Sequence, residues 1–139
     1  MFVMVMMVSF ASVMSLLRLT YCQVRALSNV VASSTQPIQN LRVLQHIGDK
    51  QQQQEWARKW ITDGLTGFEK MVADVAGKHC IGDTLTMADL CLVPQLLNAK
   101  RFGVDMTAFP IINRIAENCR QLEAFKAGTL TSSLTVLRI

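Results

Sequence analysis

A carboxylate and a thiol stand two residues apart in the stretch TLTMADLCLVPQ, residues 84–95, which is otherwise largely apolar. A carboxylate can serve as a general base, and a cysteine can serve as a nucleophile once a base activates it. Such chemistry requires Asp89 and Cys91 to face each other, but residues two apart on a helix point to different sides. No partner base stands near them in the sequence, so we predict no catalytic residue in this chain.

The distance of Asp89 from Thr86 predicts a structural role instead. TMAD has the form of a capping box, in which the Thr86 side chain accepts a hydrogen bond from the Asp89 amide and the carboxylate accepts one from the Thr86 amide. Asp89 would also lie at the positive end of the helix dipole. We predict that Thr86 and Asp89 close the start of a helix and that Cys91 is a small packing residue.

Histidine and cysteine, the usual ligands of structural zinc, are not clustered along the chain. His79 and Cys80 form the only adjacent pair, and the second histidine, His46, is far away in the sequence. No C-x-x-C pair or disulfide framework is evident from the spacing of the four cysteines, Cys22, Cys80, Cys91 and Cys119. We therefore predict no metal site and reduced thiols, as is usual for cytoplasmic proteins.

Length and composition exclude several classes of protein. A chain of 139 residues, 50% hydrophobic and 17% charged, is expected to form one domain with a buried core rather than a disordered chain. The net charge of +4 is small, and the basic residues are scattered, with Arg58–Lys59 and Lys100–Arg101 as the tightest groups. Because nucleic-acid-binding proteins concentrate basic residues on one face, we predict no nucleic-acid partner.

Apolar residues recur at steps of three and four rather than two, which predicts an all-α fold, a bundle of helices. Over residues 50–76 they form one stripe, made of Trp56, Trp60, Ile61, Leu65, Phe68, Met71, Val72 and Val75. Gly64 and Gly67 lie inside this helix, where glycine is unfavourable. We interpret both as places where a neighbouring element packs closely.

Other helices are expected on either side of this stripe. Residues 26–47 predict a helix that Pro37 kinks or breaks, because proline lacks a backbone donor. Gly48 is its predicted C-cap. The stretch AGKHCIGD predicts a loop before the helix that Thr86 caps, and Pro110 suits the first turn of a later helix.

The two ends differ from this pattern. Residues 1–17 carry no charge, which leaves three interpretations: a membrane anchor at the short limit of length, a poor signal peptide without its basic segment, or a non-native start such as a translated intron. We favour the third. The predicted organisation is an atypical apolar segment over 1–24, a helical domain over 25–126 and a tail over 127–139.

Three segments together resemble one enzyme family. QPIQNLRVLQ, GDTLTMADLCLVPQLLNAKRF and VDMTAFPIINRI are similar to zeta-class glutathione transferases, also called maleylacetoacetate isomerases. The capping box is shared by the whole glutathione transferase superfamily, whereas ADLCLVPQ followed by NAKRF is much more specific to the zeta class. The resemblance covers roughly residues 25–126 and implies the helical C-terminal domain of that fold.

The resemblance implies a glutathione-dependent cis–trans isomerisation of maleylacetoacetate in tyrosine and phenylalanine breakdown, by a cytoplasmic enzyme that forms homodimers. The family activates the glutathione thiolate in a thioredoxin-like domain with an S-S-C-S-W-R-type motif, and this sequence contains no such motif. We therefore expect the chain to be a truncated product that is inactive alone. The alternatives are a non-catalytic interaction module and a form tethered to a membrane through residues 1–17.

The resemblance also implies ligand contacts. Arg101 matches the arginine that binds the substrate carboxylate, a role that suits its planar guanidinium. From the residues alone, an isolated arginine is most often a solvated surface charge. The expected glutathione contacts are Gln36, Asn40, Leu41 and Arg42. Gln36 also has a simpler interpretation, as a cap around Pro37.

Overall fold

The computed structural model describes the backbone of residues 2–127 and the side chains of residues 15–127. Almost all of the predicted tail therefore lies outside the described residues. Within the described residues the fold is all-α, as predicted. It contains no β-strand there, and its β-type pairing is an isolated bridge between Ala76 and Gly82. The α-helices are α1 Phe2–Asn29, α2 Gln36–Ile38, α3 Leu41–Leu44, α4 Lys50–Val72, α5 Met87–Arg101 and α6 Pro110–Arg120.

The first helix runs through the predicted boundary between residues 24 and 25. It begins at Phe2 and ends at Asn29, and it packs into the core near its C-terminal end, where Leu27 is buried. Across the described helices, none combines the length and the hydropathy needed to cross a membrane. The division of the chain at residue 24 stays a prediction.

A π-helical turn, Val30–Thr35, joins α1 to α2. The Gln36 amide donates to the Val31 carbonyl, five residues back, and the Thr35 hydroxyl donates to the Val30 carbonyl at 2.8 Å. Pro37 follows at once and offers no amide to the α-helical ladder. The interruption predicted at Pro37 is therefore present, and it begins upstream of the proline as a widened turn.

The turn between α3 and α4 corrects one prediction. The C-cap of α3 is Gln45, not Gly48. Gly48 lies three residues later with φ +86°, a conformation that disfavours other residues. Immediately after it, Asp49 and Gln52 form a capping box that opens α4, with the Gln52 amide donating to Asp49 Oδ1 at 2.9 Å.

The predicted stripe on α4 is the centre of the core. The buried residues of α4 are four members of that stripe, Ile61, Leu65, Phe68 and Val72, together with Ala57, which was not predicted, and each is separated from the next by three or four positions. Met71 was assigned to this stripe and is instead 42% exposed. Helices α5 and α6 complete the core, with Leu92, Leu96, Ile112 and Ile115 among their buried residues.

The two glycines of α4 have opposite surroundings. A Cβ added to Gly64 would collide with Oγ1 of Thr35 and would also crowd its Cβ and Cγ2, so α4 passes the π-helical turn at close range. A Cβ added to Gly67 would meet nothing within 4 Å. The interpretation of close packing is therefore right for Gly64 and wrong for Gly67.

This contrast gives a matched pair of substitutions. Gly64→Ala should lower the free energy of unfolding by about 1–3 kcal/mol, because Thr35 is itself buried and cannot simply turn away. Gly67→Ala should raise it by about 0.5–1 kcal/mol, since alanine is the better helix former. Urea denaturation followed by circular dichroism measures both values, and a loss of stability in Gly67→Ala would contradict the assignment.

Candidate functional site

Asp89 is the centre of the best-organised polar cluster in the described residues, and its side chain is fully buried. The predicted capping box is present at the start of α5. Asp89 Oδ2 accepts hydrogen bonds from the Thr86 amide at 2.8 Å and from the Thr86 hydroxyl at 2.9 Å. Oδ1 accepts a third from the Cys80 amide at 2.8 Å, so the carboxylate also anchors the preceding loop.

Two further side chains reach the same carboxylate from distant parts of the chain. His79 comes from the loop, and its Nδ1 lies 3.5 Å from Asp89 Oδ1. Cys119 comes from α6, and its Sγ lies 3.9 Å from Asp89 Oδ1 and 3.5 Å from His79 Nδ1. We call His79, Asp89 and Cys119 the buried cluster.

The geometry of the buried cluster does not support a cysteine nucleophile. In a catalytic triad the histidine uses one ring nitrogen for the nucleophile and the other for the acid. Here Nδ1 of His79 faces both Cys119 and Asp89. Burial, with a smaller contribution from the Asp89 charge, raises the pKa of the Cys119 thiol to about 11, and the same causes raise the pKa of Cys80. Both thiols are therefore protonated near neutral pH.

The residues expected to contact glutathione lie together on the surface. Gln36, Asn40, Leu41 and Arg42 are all exposed, and Leu41 is 61% exposed. Asn40 also has a structural role, because it is the N-cap of α3 and its Oδ1 accepts the Arg42 amide at 3.1 Å. Helix α3 and its N-cap thus hold Asn40, Leu41 and Arg42 in a fixed backbone conformation, whereas Gln36 is the first residue of α2.

A buried pair of glutamines connects this surface to α5. Gln39 Nε2 donates to Gln95 Oε1 at 2.7 Å, and both side chains are buried. The remaining amide atoms, Gln39 Oε1 and Gln95 Nε2, have no hydrogen-bond partner within the described residues. Burying these two unpaired atoms is costly, whereas the one hydrogen bond of the pair joins the segment carrying Gln36 and Asn40 to α5.

Arg101 lies in the last turn of α5 and is exposed. Its guanidinium carbon is 5.8 Å from the centre of the Phe102 ring. The Phe102 carbonyl accepts the Arg58 Nε–H at 3.1 Å, which ties the end of α5 to α4. Arg101 and the expected glutathione contacts therefore come from different elements, and the Gln39–Gln95 bond joins those elements within the described structure.

Comparison with known proteins identifies the fold. Residues 39–127 match the family model of the glutathione S-transferase C-terminal domain, which is more than half of the chain. The chain belongs to this family. The maleylacetoacetate isomerase of Mus musculus is 48% identical over 105 residues, which are 76% of this chain and 48% of the mouse protein.

Solved glutathione transferase structures agree. Maleylacetoacetate isomerase from Anaeromyxobacter dehalogenans, with bound GSH in its active site, aligns with a TM-score of 0.73 and 45% identity, covering 76% of this chain and 50% of that one. A zeta-class maleyl pyruvate isomerase aligns with a TM-score of 0.71 and 36% identity, covering 74% and 52%. The resemblance to the zeta class is confirmed. The chain spans about half the length of the relatives it matches.

The sequence did not indicate every polar contact of this glutathione transferase domain. His79 and Cys119 were not predicted to reach Asp89, because nothing in the spacing of the chain relates α6 to the loop. Gln39 was also missed. Gln95 had a usable signal, since a glutamine inside the apolar run LCLVPQLL must either face solvent or find a buried partner.

Proposed function

We propose that this chain provides the helical half of a cytoplasmic, glutathione-dependent isomerase of the zeta class, acting on maleylacetoacetate or a similar unsaturated acid. The observation that carries the proposal is the 48% identity to the mouse isomerase over 105 residues. The free thiols of Cys22, Cys80, Cys91 and Cys119 are consistent with a reducing compartment.

In this proposal the surface around α3 contacts glutathione. Gln36 and Asn40 offer side-chain amides, and Leu41 and Arg42 follow directly on the turn that Asn40 caps. All four are exposed, so a bound tripeptide can reach them without rearrangement of the core. Support also comes from the Anaeromyxobacter dehalogenans relative, whose structure contains GSH.

Arg101 is the proposed anchor of the substrate carboxylate. A guanidinium can donate two parallel hydrogen bonds to a carboxylate, which fixes both position and orientation. Arg101 is exposed, and Phe102, next to it, is attached to α4 through Arg58. The positive charge of Arg101 therefore lies at the C-terminal end of α5, which is attached to α4.

We further propose that the 139-residue chain does not turn over substrate by itself. The isomerisation requires a thiolate that adds to the double bond and leaves after rotation, so the thiol must be activated. These 139 residues contain no S-S-C-S-W-R-type motif. Its own buried thiols cannot substitute, because burial keeps Cys119 and Cys80 protonated.

A chimera tests this proposal. Residues 25–139 are joined to the thioredoxin-like half of the mouse isomerase in place of its own helical half. We expect glutathione-dependent isomerisation by the chimera and none by the 139-residue chain. Arg101→Ala in the chimera should lower kcat/KM by about 10- to 100-fold, the loss expected for a hydrogen-bonded charge pair.

Lys100→Ala is the matched control, because Lys100 is the exposed cation next to Arg101 on α5. It should leave kcat/KM nearly unchanged. Turnover by the 139-residue chain alone would overturn the claim of inactivity. A folded chimera without isomerase activity would instead overturn the functional proposal.

The second candidate is a non-catalytic interaction module, and an exposed apolar surface on α1 favours it. Leu16, Leu17, Leu19 and Tyr21 are each more than half exposed. Apolar surface of this kind usually serves a partner, and a second copy of the chain is the simplest one. The chimera lacks these four residues, so it discriminates through catalysis alone: this candidate predicts a folded chimera with no isomerase activity.

A further inference from the structure

The buried cluster brings three different metal-ligating atoms together. His79 Nδ1, Asp89 Oδ1 and Cys119 Sγ all lie within 4.8 Å of one another. They come from the loop, α5 and α6, so the fold creates a convergence that the sequence spacing did not show. The prediction of no metal site considered only neighbours along the chain.

The separations fit the edges of a tetrahedral site. Zinc binds nitrogen and oxygen at about 2.0–2.2 Å and sulfur at about 2.3 Å, which places neighbouring ligand atoms about 3.3–3.8 Å apart. The observed distances are 3.5 Å from His79 to Asp89, 3.5 Å from His79 to Cys119 and 3.9 Å from Cys119 to Asp89. An ion could therefore be accommodated with shifts of a few tenths of an ångström.

The donor set has the chemistry and charge of a zinc site. Imidazole nitrogen and thiolate sulfur select zinc and similar ions over magnesium and calcium, which prefer oxygen. One carboxylate and one thiolate balance a divalent charge, so the loaded site would be neutral, as burial requires. The proton that leaves Cys119 passes to solvent.

The surroundings hold the ligands in place, as the outer shell of a metal site does. The Cys80 amide occupies one side of Asp89 Oδ1, and the Thr86 amide and hydroxyl hold Oδ2. The His79 amide donates to the Gly82 carbonyl at 3.0 Å, which sets the loop backbone. Asn118 Nδ2, beside Cys119, donates to the Lys78 carbonyl at 2.8 Å and attaches the loop to α6.

We propose that His79 Nδ1, Asp89 Oδ1 and Cys119 Sγ bind one zinc-like divalent cation, with a fourth position for water on the His79 side. The side chain of His79 is 12% exposed, whereas that of Asp89 is fully buried, so the entry path runs past the imidazole. The ion would join the loop, α5 and α6. This site is separate from the proposed glutathione and substrate contacts.

Binding of cobalt and zinc ions to the reduced, chelator-treated chain tests the proposal. We expect one ion per chain, and the cobalt form should show a thiolate-to-metal charge-transfer band with the intense visible absorption of tetrahedral coordination. Cys119→Ala and His79→Ala should each weaken binding by more than about 10-fold, the minimum seen for loss of outer-shell support. Cys119→Ala should also abolish the charge-transfer band.

Cys91→Ala and His46→Ala are the matched controls, because neither residue belongs to the buried cluster, and both should bind like the parent chain. Cys22, the exposed thiol, is replaced by alanine in every sample, so that a stoichiometric cobalt–thiolate band supports the proposal even if a cluster variant fails to fold. A folded parent chain without a stoichiometric cobalt–thiolate band, or unchanged binding in folded Cys119→Ala, would overturn the proposal.

Discussion

Replacing Asp89 with alanine should lower the free energy of unfolding by about 2–5 kcal/mol, because it leaves a buried amide without its acceptor and also removes the cap of α5. Asp89 is fully buried and accepts the Cys80 amide, the Thr86 amide and the Thr86 hydroxyl. Without it, the Cys80 amide is left unpaired in the core, which alone costs about 1–3 kcal/mol. The cap of α5 is lost at the same time.

Equilibrium urea denaturation followed by circular dichroism measures this loss. Adding a chelator to every sample separates the contribution of the hydrogen bonds from that of any bound ion. Thr86→Ala should cost only about 0.5–2 kcal/mol, because it removes the hydroxyl and leaves both backbone contacts to Asp89. If Asp89→Ala loses no more stability than Thr86→Ala, the hydrogen bond from Asp89 to the Cys80 amide contributes nothing to the free energy of unfolding.

Asp105→Ala is a second control. Asp105 makes comparable contacts to the amide and hydroxyl of Thr107, at 2.9 and 2.7 Å, but it is exposed and caps only the short 3-10 helix Met106–Ala108. Its loss should change stability little, because water can replace the lost acceptor. The comparison with Asp89 therefore isolates the effect of burial from the effect of capping.

The elements that were predicted correctly depend on residues close in sequence. The stripe on α4 follows from steps of three and four, and the cap of α5 follows from Thr86 and Asp89, three residues apart. Pro110 at the start of α6 is another local signal. Such patterns can be predicted from the sequence because the helix itself brings residues three and four positions apart onto one face.

The features that were missed depend on contacts between elements. Cys119 meets His79 across 40 residues, and Gln39 meets Gln95 across 56. No periodicity relates such positions, so only the packing of the helices reveals the buried cluster and the glutamine pair. Even the local error at Gly67 has this origin, since the sequence cannot show which side of α4 faces Thr35.

The second large loss of stability is expected at the start of α6. The N-cap Phe109 makes no side-chain cap, and Pro110 has no amide. Glu69 of α4 supplies the cap across the fold, with Oε1 accepting the Ile111 amide at 2.8 Å and Oε2 accepting the Ile112 amide at 2.9 Å. The negative charge of Glu69 also interacts favourably with the positive N-terminal end of the α6 dipole. Glu69→Ala should therefore cost about 2–3 kcal/mol of stability.

Glu69→Gln keeps the shape but only one acceptor oxygen, so it should cost roughly half as much as Glu69→Ala. Glu55→Ala is the matched control on the same helix, since Glu55 is exposed and, among residues 15–127, accepts a hydrogen bond from the Gln51 side chain and not from a helix terminus. It should stay within about 0.5 kcal/mol of the parent chain. Urea denaturation ranks the three variants, and equal losses for Glu69→Ala and Glu55→Ala would contradict the cap. Because α6 also carries Cys119, a confirmed cap would mean that Glu69 of α4 helps to position the helix that contributes Cys119 to the buried cluster.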